Sequence, residues 1–264
     1  MRAAPVATLD PVLRLKEIVA RLRAPDGCPW DREQTHASLR GALLEETYEL
    51  VDAIDLADDS NLREELGDLL LHVVMHAQMA SERGAFEFDA VATEICEKLI
   101  RRHPHVFGED SAADSDEVLR KWEQIKRAEK AERTSILDGL PRALPALMRA
   151  QNAQKKAARV GFDWTEAGEV IAKIEEELAE LKAAMATANP GAITEETGDL
   201  LFSVVNLARK LGQDSEMTLS AATDKFVERF KSVERQAAAA GRRVEDCSAE
   251  ELNRYWDAEK AGTA

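Results

Sequence analysis

An internal repeat constrains this chain more than any other feature, and repeats are sought before a fold is assigned. The segment LLEETYELVDAI (43–54) is matched by IEEELAELKAAM (174–185) at an offset of 131 residues. The same offset, without a gap, lays EELGDLL (64–70) on EETGDLL (195–201). Glu46, Glu49, Glu65 and Asp68 thereby correspond to Glu177, Glu180, Glu196 and Asp199. Past that point the register slips by four, and KLIRR, from Lys98 to Arg102, corresponds to KFVER, from Lys225 to Arg229. The 264 residues therefore read as two copies of one unit, each of ordinary domain size.

The unit is helical. Apolar residues recur at helical spacing in 11–24, in about 36–56 (Leu39, Leu43, Leu44, Leu50, Val51, Ile54) and in about 61–82 (Leu62, Leu66, Leu69, Leu70, Val73, Val74). Asp89 is expected to cap a third long helix ending before Pro104. The acidic stretch 108–117 reads as a linker, and a charged helix is expected over about 116–133. Gly241 should end a late helix, and Ser248 to Glu251 has the capping-box pattern of a short final one. The expected division is 1–115, a connection over 116–145, and 146–264. The expected fold class is all-α, with four-helix-bundle-like units. Only 5% of residues are aromatic and 8 are proline, which disfavours a sandwich or barrel.

With 35 basic and 50 acidic residues, the net charge of −15 argues against a protein that grips nucleic acid by its phosphate backbone. It does not exclude an anionic substrate bridged by cations. Cys28, Cys96 and Cys247 are too few and too scattered for a disulfide framework or a cysteine zinc site. No apolar run reaches a membrane-spanning length, and residues 2–9, Arg2 and then APVATL, are too short and broken for a signal sequence. A cytoplasmic setting is the expectation.

The repeated carboxylates carry the chemistry. Glu46 and Glu49 share a helix face, as do Glu65 and Asp68, and the short intervening loop makes the two helices antiparallel neighbours. Four carboxylates then face one groove. The second copy repeats this with Glu177, Glu180, Glu196 and Asp199. A lone EExxE is usually a solvated face. A matched ExxD one helix later, the recurrence of the pair, and its placement among LLL and LLF runs all weigh against that reading. Oxygen ligands without cysteine or histidine suit Mg²⁺ or Mn²⁺. Lys225 and Arg229, at i and i+4, form a pair able to clamp phosphate oxygens, and Lys98 and Arg102 match them in the first copy. Trp256 can stack on a base, with Lys260 a turn away. Asn206 extends the polar stripe of Glu196, Asp199 and Ser203, where the first copy has Met75. His103 and His105, flanking Pro104, read as loop or packing residues. A ferritin-like di-iron site is excluded because it needs two Glu-x-x-His pairs.

At these residues the chain resembles the MazG family of nucleoside triphosphate pyrophosphohydrolases, whose pattern is EExxE followed by ExxD. GCPWDREQTHASL (27–39), KLIRRHPHVFG (98–108), KWEQIKRAEK (121–130) and VGFDW (160–164) look like the two-repeat bacterial members. The resemblance implies an all-α homodimer that hydrolyses a nucleoside triphosphate to the monophosphate and pyrophosphate with Mg²⁺, in clearing non-standard nucleotides. It implies metal binding by Glu177, Glu180, Glu196 and Asp199, phosphate binding by Lys225 and Arg229, and a place near the nucleotide for Trp256. A carboxylate outside the metal shell, Glu176 or Glu195, is the expected acceptor of the attacking water's proton. The second copy is expected to be the main catalyst. A non-catalytic helical regulatory protein that binds nucleotide or metal is the alternative, to be excluded by an assay for pyrophosphate release.

Overall fold

The computed structural model describes residues 10–129 and 134–262. It is helical throughout, with no strand among those residues. Two compact units divide the chain, Met1–Ala131 and Glu132–Ala264.

In the first unit, α1 (Pro11–Arg23) packs on α4 (Asp59–Glu82), which forms a hairpin with α3 (Arg40–Asp55). The short α2 (Pro29–Glu33) lies against α1. Helix α5 (Phe88–Arg102) packs on α4 and carries α6 (Pro104–Phe107) and α7 (Ser115–Ala128). The core gathers Val19 of α1, Leu39, and Val74, Met75 and Met79 of α4. Arg23 fixes α1 to α4 by donating from two nitrogens to the Glu82 carboxylate, each at 2.8 Å.

In the second unit, α9 (Ala167–Ala186) and α10 (Pro190–Lys210) form the hairpin, and α8 (Ala146–Ala158) packs on α10 and α11 (Ser215–Ala239). A 3₁₀ turn (Val244–Asp246) precedes α12 (Ala249–Gly262), which lies on α11. Here the α8 anchor is polar. Buried Gln151 donates to the Gln213 carbonyl (2.8 Å) and accepts from the Ser215 backbone N–H and hydroxyl (2.9 and 2.8 Å). Gln154 donates to the Phe202 carbonyl at 2.9 Å. The Gln151 amide, bonded at both its nitrogen and its oxygen, fixes position without a buried unpaired oxygen, whereas buried Gln154 Oε1 has no partner among the described residues.

The duplication extends to backbone detail. Asp58 caps α4 and Asn189 caps α10, each accepting from the N–H groups two and three residues on. Immediately before each cap stands an alanine with positive φ, Ala57 at 53° and Ala188 at 47°. The four-residue slip also has a source. Helix α4 has 24 residues and α10 has 21, and the loop after α4 (83–87) is one residue longer than that after α10 (211–214). A further correspondence is visible once the helices are placed. Trp122 and Lys126 of α7 match Trp256 and Lys260 of α12, and each of these helices lies on the third long helix of its unit.

Several expected boundaries move. Helix α3 starts at Arg40, because Thr35 and Ser38 hydrogen-bond reciprocally through hydroxyl and backbone N–H and hold 35–39 as turns. Asp89 lies inside the first turn of α5 and pairs with Lys16 of α1 at 2.5 Å; Glu87 takes the cap position without a side-chain bond. The charged helix begins at Ser115 and belongs to the first unit, and its expected end at 130–133 lies outside the described residues, as do residues 2–9. Gly241 (φ 70°) does follow the end of α11, and Ser248 and Glu251 form the reciprocal capping bonds that open α12.

Candidate active site

Each hairpin brings its repeated carboxylates together. In the second unit, carboxylate oxygens of Glu177 on α9 and of Glu196 and Asp199 on α10 lie within 4.8 Å of one another. Glu177 is buried at 5% exposure, Glu196 is half-buried and Asp199 is exposed. Glu180, one turn on from Glu177, is exposed and stands outside that group. Its charge is still felt there: burial first, then Glu180 and Glu177, hold the Glu196 carboxyl above its usual range. In the first unit the convergent group is Glu46, Glu49 and Glu65, again within 4.8 Å, with Glu65 buried. Burial, then Asp68, Glu49 and Glu65, push Glu46 up to about 7. Asp68 is thus close enough to act on Glu46 without joining the convergent set.

The two sites differ by one cation. Lys173, a turn before Glu177, pairs with Glu177 at 2.8 Å and with Glu176 at 3.0 Å, and these bonds hold its ammonium well above the usual lysine range. The matching position in the first unit is Ala42. Sequence reasoning overlooked Lys173. The available signal was its i, i+4 spacing to Glu177, the favourable reach for an ion pair along a helix. Of the two base candidates, Glu176 is exposed and engaged with Lys173, while Glu195 is exposed beside Glu196.

The basic and aromatic residues form a second face. On α11, Phe226 and Phe230 stack at 6.0 Å between centroids, and Trp256 of α12 tilts against Phe226 at 5.3 Å with Lys260 over its ring. Lys225 is exposed, Arg229 is half-buried, and neither makes an ion pair with the described residues. No hydrogen bond or ion pair among the described residues joins this face to the carboxylates.

Two expected site residues are already engaged. Asn206 accepts through Oδ1 from Arg209 at 2.7 and 3.1 Å, and Arg209 also pairs with Asp163. The amide therefore has its NH₂ to offer a ligand, not both its groups. Arg102 is buried at 7% exposure, where it pairs with Glu129 beyond the end of α7 and lies 5.0 Å from the Trp122 ring centroid. It is thus closed to phosphate in this arrangement, unlike Arg229. Lys98 is half-buried on the same helix. His103 Nδ1 lies 2.7 Å from the Leu99 carbonyl.

Convergent oxygen ligands, one or more of them buried, with carboxyls raised by burial and then by mutual repulsion, form a donor set matched to a hard divalent cation. The fold and these sites define a duplicated all-α protein with one carboxylate-bearing helical hairpin per unit. Residues 34–107 and 165–237 each match the MazG nucleotide pyrophosphohydrolase domain. The chain is 50% identical over 253 residues to the nucleoside triphosphate pyrophosphohydrolase of Escherichia coli K12, covering 94% of this chain and 96% of that one. It is 50% identical over 249 residues to a Thermotoga maritima protein named nucleoside triphosphate pyrophosphohydrolase/pyrophosphatase MazG, with 94% and 95% covered. An uncharacterized Bacillus subtilis protein, YabN, is 43% identical over 247 residues, which is 93% of this chain and 50% of that protein. The chain belongs to the MazG family.

Proposed function

We propose that this chain hydrolyses nucleoside triphosphates to the monophosphate and pyrophosphate, with Mg²⁺ as cofactor and Mn²⁺ as a substitute. The observation that carries this reading is the convergence of Glu177, Glu196 and Asp199 in the same unit as a Lys225/Arg229 pair that makes no ion pair with the described residues. Glu180 completes the set from α9 by rotamer adjustment. A bound divalent cation supplies neutralisation of the phosphates and lowers the pKa of water. The residues do the rest, since phosphoryl-type transfer is chiefly positioning and electrostatics. Lys225 and Arg229 hold the outer phosphates and stabilise pyrophosphate as it leaves. Lys173 is freed from Glu177 once that carboxylate is neutralised otherwise, and it then stands a turn away with an ammonium for a phosphate oxygen. Glu176 or Glu195 accepts the proton of the attacking water. Trp256, backed by Phe226, offers a face for the base.

The second unit is the main site in this reading. In the first unit the position of Arg229 is taken by Arg102, which is held by Glu129, and no lysine occupies the place of Lys173. The active form is a homodimer. Leu70, Leu71 and Val73 of α4 are exposed, and so are Leu201, Phe202 and Val204 of α10 at the same offset; Ile54 and Met185 repeat the pattern. Apolar stripes preserved in both copies are what a second chain would cover. No described helix is long and apolar enough to cross a membrane, and the proposed role is cytoplasmic clearance of unwanted nucleotides.

A panel of nucleoside triphosphates, incubated with Mg²⁺ and assayed separately for monophosphate, pyrophosphate and orthophosphate, tests the activity. In ¹⁸O-labelled water the label should enter the monophosphate, reporting attack at the α-phosphorus. Release of orthophosphate alone, or no product with any nucleotide, would overturn the reading; the second result would favour a regulatory nucleotide- or metal-binding role.

A further inference from the structure

The arginines of α5 present an anion site that is already filled. Glu129 accepts from Arg101 Nε at 2.6 Å on one carboxylate oxygen. Its other oxygen accepts from Arg102 Nε at 3.0 Å and from Arg102 Nη2. Arg102 is buried and packs on Trp122, so its guanidinium is held in one orientation. Lys98 stands one turn earlier on the same face. This is a rigid donor fork with neighbouring cations, the arrangement that takes two oxygens of a phosphoryl group as readily as those of a carboxylate.

The second unit supplies an independent observation. Its matching residues, Lys225 and Arg229 on α11, make no such pair with the described residues. In the sequence register set by Trp122 and Trp256, Glu129 aligns with the uncharged Thr263, which lies outside the described residues. The carboxylate is therefore an addition to the first copy and not part of the shared unit.

We propose that the Lys98–Arg102 face is a second phosphate-binding site, for the polyphosphate chain of a nucleotide, which the chain's own Glu129 keeps shut. Glu129 is a tethered anion with one negative charge. Being tethered at the fork, it outcompetes a free polyphosphate there, and only its removal opens the site. This rests on the reading of Lys225 and Arg229 as a phosphate clamp.

Calorimetric titration of the full, metal-free chain with inorganic tripolyphosphate tests both readings separately. Wild type and Glu129→Asp, which keeps the charge, should each bind one equivalent per chain through the open clamp, and Arg229→Ala should abolish that binding. Glu129→Gln should gain a second equivalent, lost again in Glu129→Gln/Arg102→Ala. Should that double variant lose helicity by circular dichroism, Glu129→Gln/Arg101→Ala, which alters an exposed residue, takes its place. Undiminished binding by Arg229→Ala would overturn the clamp. If Arg229→Ala silences the wild type and Glu129→Gln still binds one equivalent, the clamp stands and the latch is overturned. A second equivalent that survives loss of the arginine would also overturn the latch.

Discussion

At the scale of the residue, the hairpin carboxylates are held together against their own repulsion, and that sets their behaviour without a cation. Glu180→Gln or Asp199→Asn should leave the helical circular dichroism spectrum intact. Activity should fall by more than the roughly 10–100-fold typical of losing a residue that merely supports a ligand. In chelator, the melting temperature of Glu180→Gln should rise, because the variant relieves Glu196 of the carboxylate that repels it most strongly. Glu46 gives a pH signature. Its folded-state pKa, about 7, lies above the ordinary 4.5, so the folded chain binds that proton more tightly than the unfolded one. The stabilisation is full below 4.5 and is lost as pH rises through about 7. Thermal melts in chelator should show the difference between wild type and Glu46→Gln shrinking or changing sign across that window. A difference that stays constant with pH would contradict this. Glu129 has the opposite sign. Its bonds to Arg102 and then Arg101 hold it down to about 2, so its contribution is present above 4.5 and disappears as pH falls through about 2.

At the scale of the element, the hairpin turn is the feature the two copies share most closely. Ala57 and Ala188 adopt a left-handed backbone conformation that crowds a Cβ against the chain, at a cost of about 1–2 kcal/mol. Glycine removes the clash and returns part of the gain through its greater freedom in the unfolded chain. Ala57→Gly and Ala188→Gly should each stabilise by about 0.5–1 kcal/mol in urea denaturation, and a β-branched residue at either place should destabilise. The turn positions are not legible in the sequence, because DLADD and ATANP contain no glycine to mark a positive φ. The carboxylate pairing was legible, because i, i+3 spacing on two helices joined by a short loop leaves little choice of geometry. Asp89 shows where local pattern fails: it has the right residue type for a cap, and a lysine on another helix takes its carboxylate.

At the scale of the whole molecule, the duplication has produced two units with the same skeleton and unequal chemistry. Glu180→Gln should damage triphosphate hydrolysis far more than Glu49→Gln, and equal losses would mean that both hairpins turn over substrate. The exposed apolar stripes predict self-association. Sedimentation should report a dimer for the wild type, and Phe202→Asp with Val204→Asp should shift it toward monomer.

The sequence by itself determined that this protein is helical, that it is one unit used twice, and which two helices of each unit would bring carboxylates together, though Asp68 and Glu180 stand outside the convergent groups. Those properties follow from periodicity and spacing, which act over a few residues and survive any packing. Tertiary structure alone decided which charged groups are available. Arg102 and Arg229 occupy matching positions, yet one is buried against Glu129, 27 residues away, and the other makes no ion pair with the described residues. The amide of Asn206 is half engaged because Arg209 is braced by Asp163 from 46 residues off. An ion pair between distant helices depends on where the chain brings them together, and nothing in the local pattern of either helix encodes that meeting.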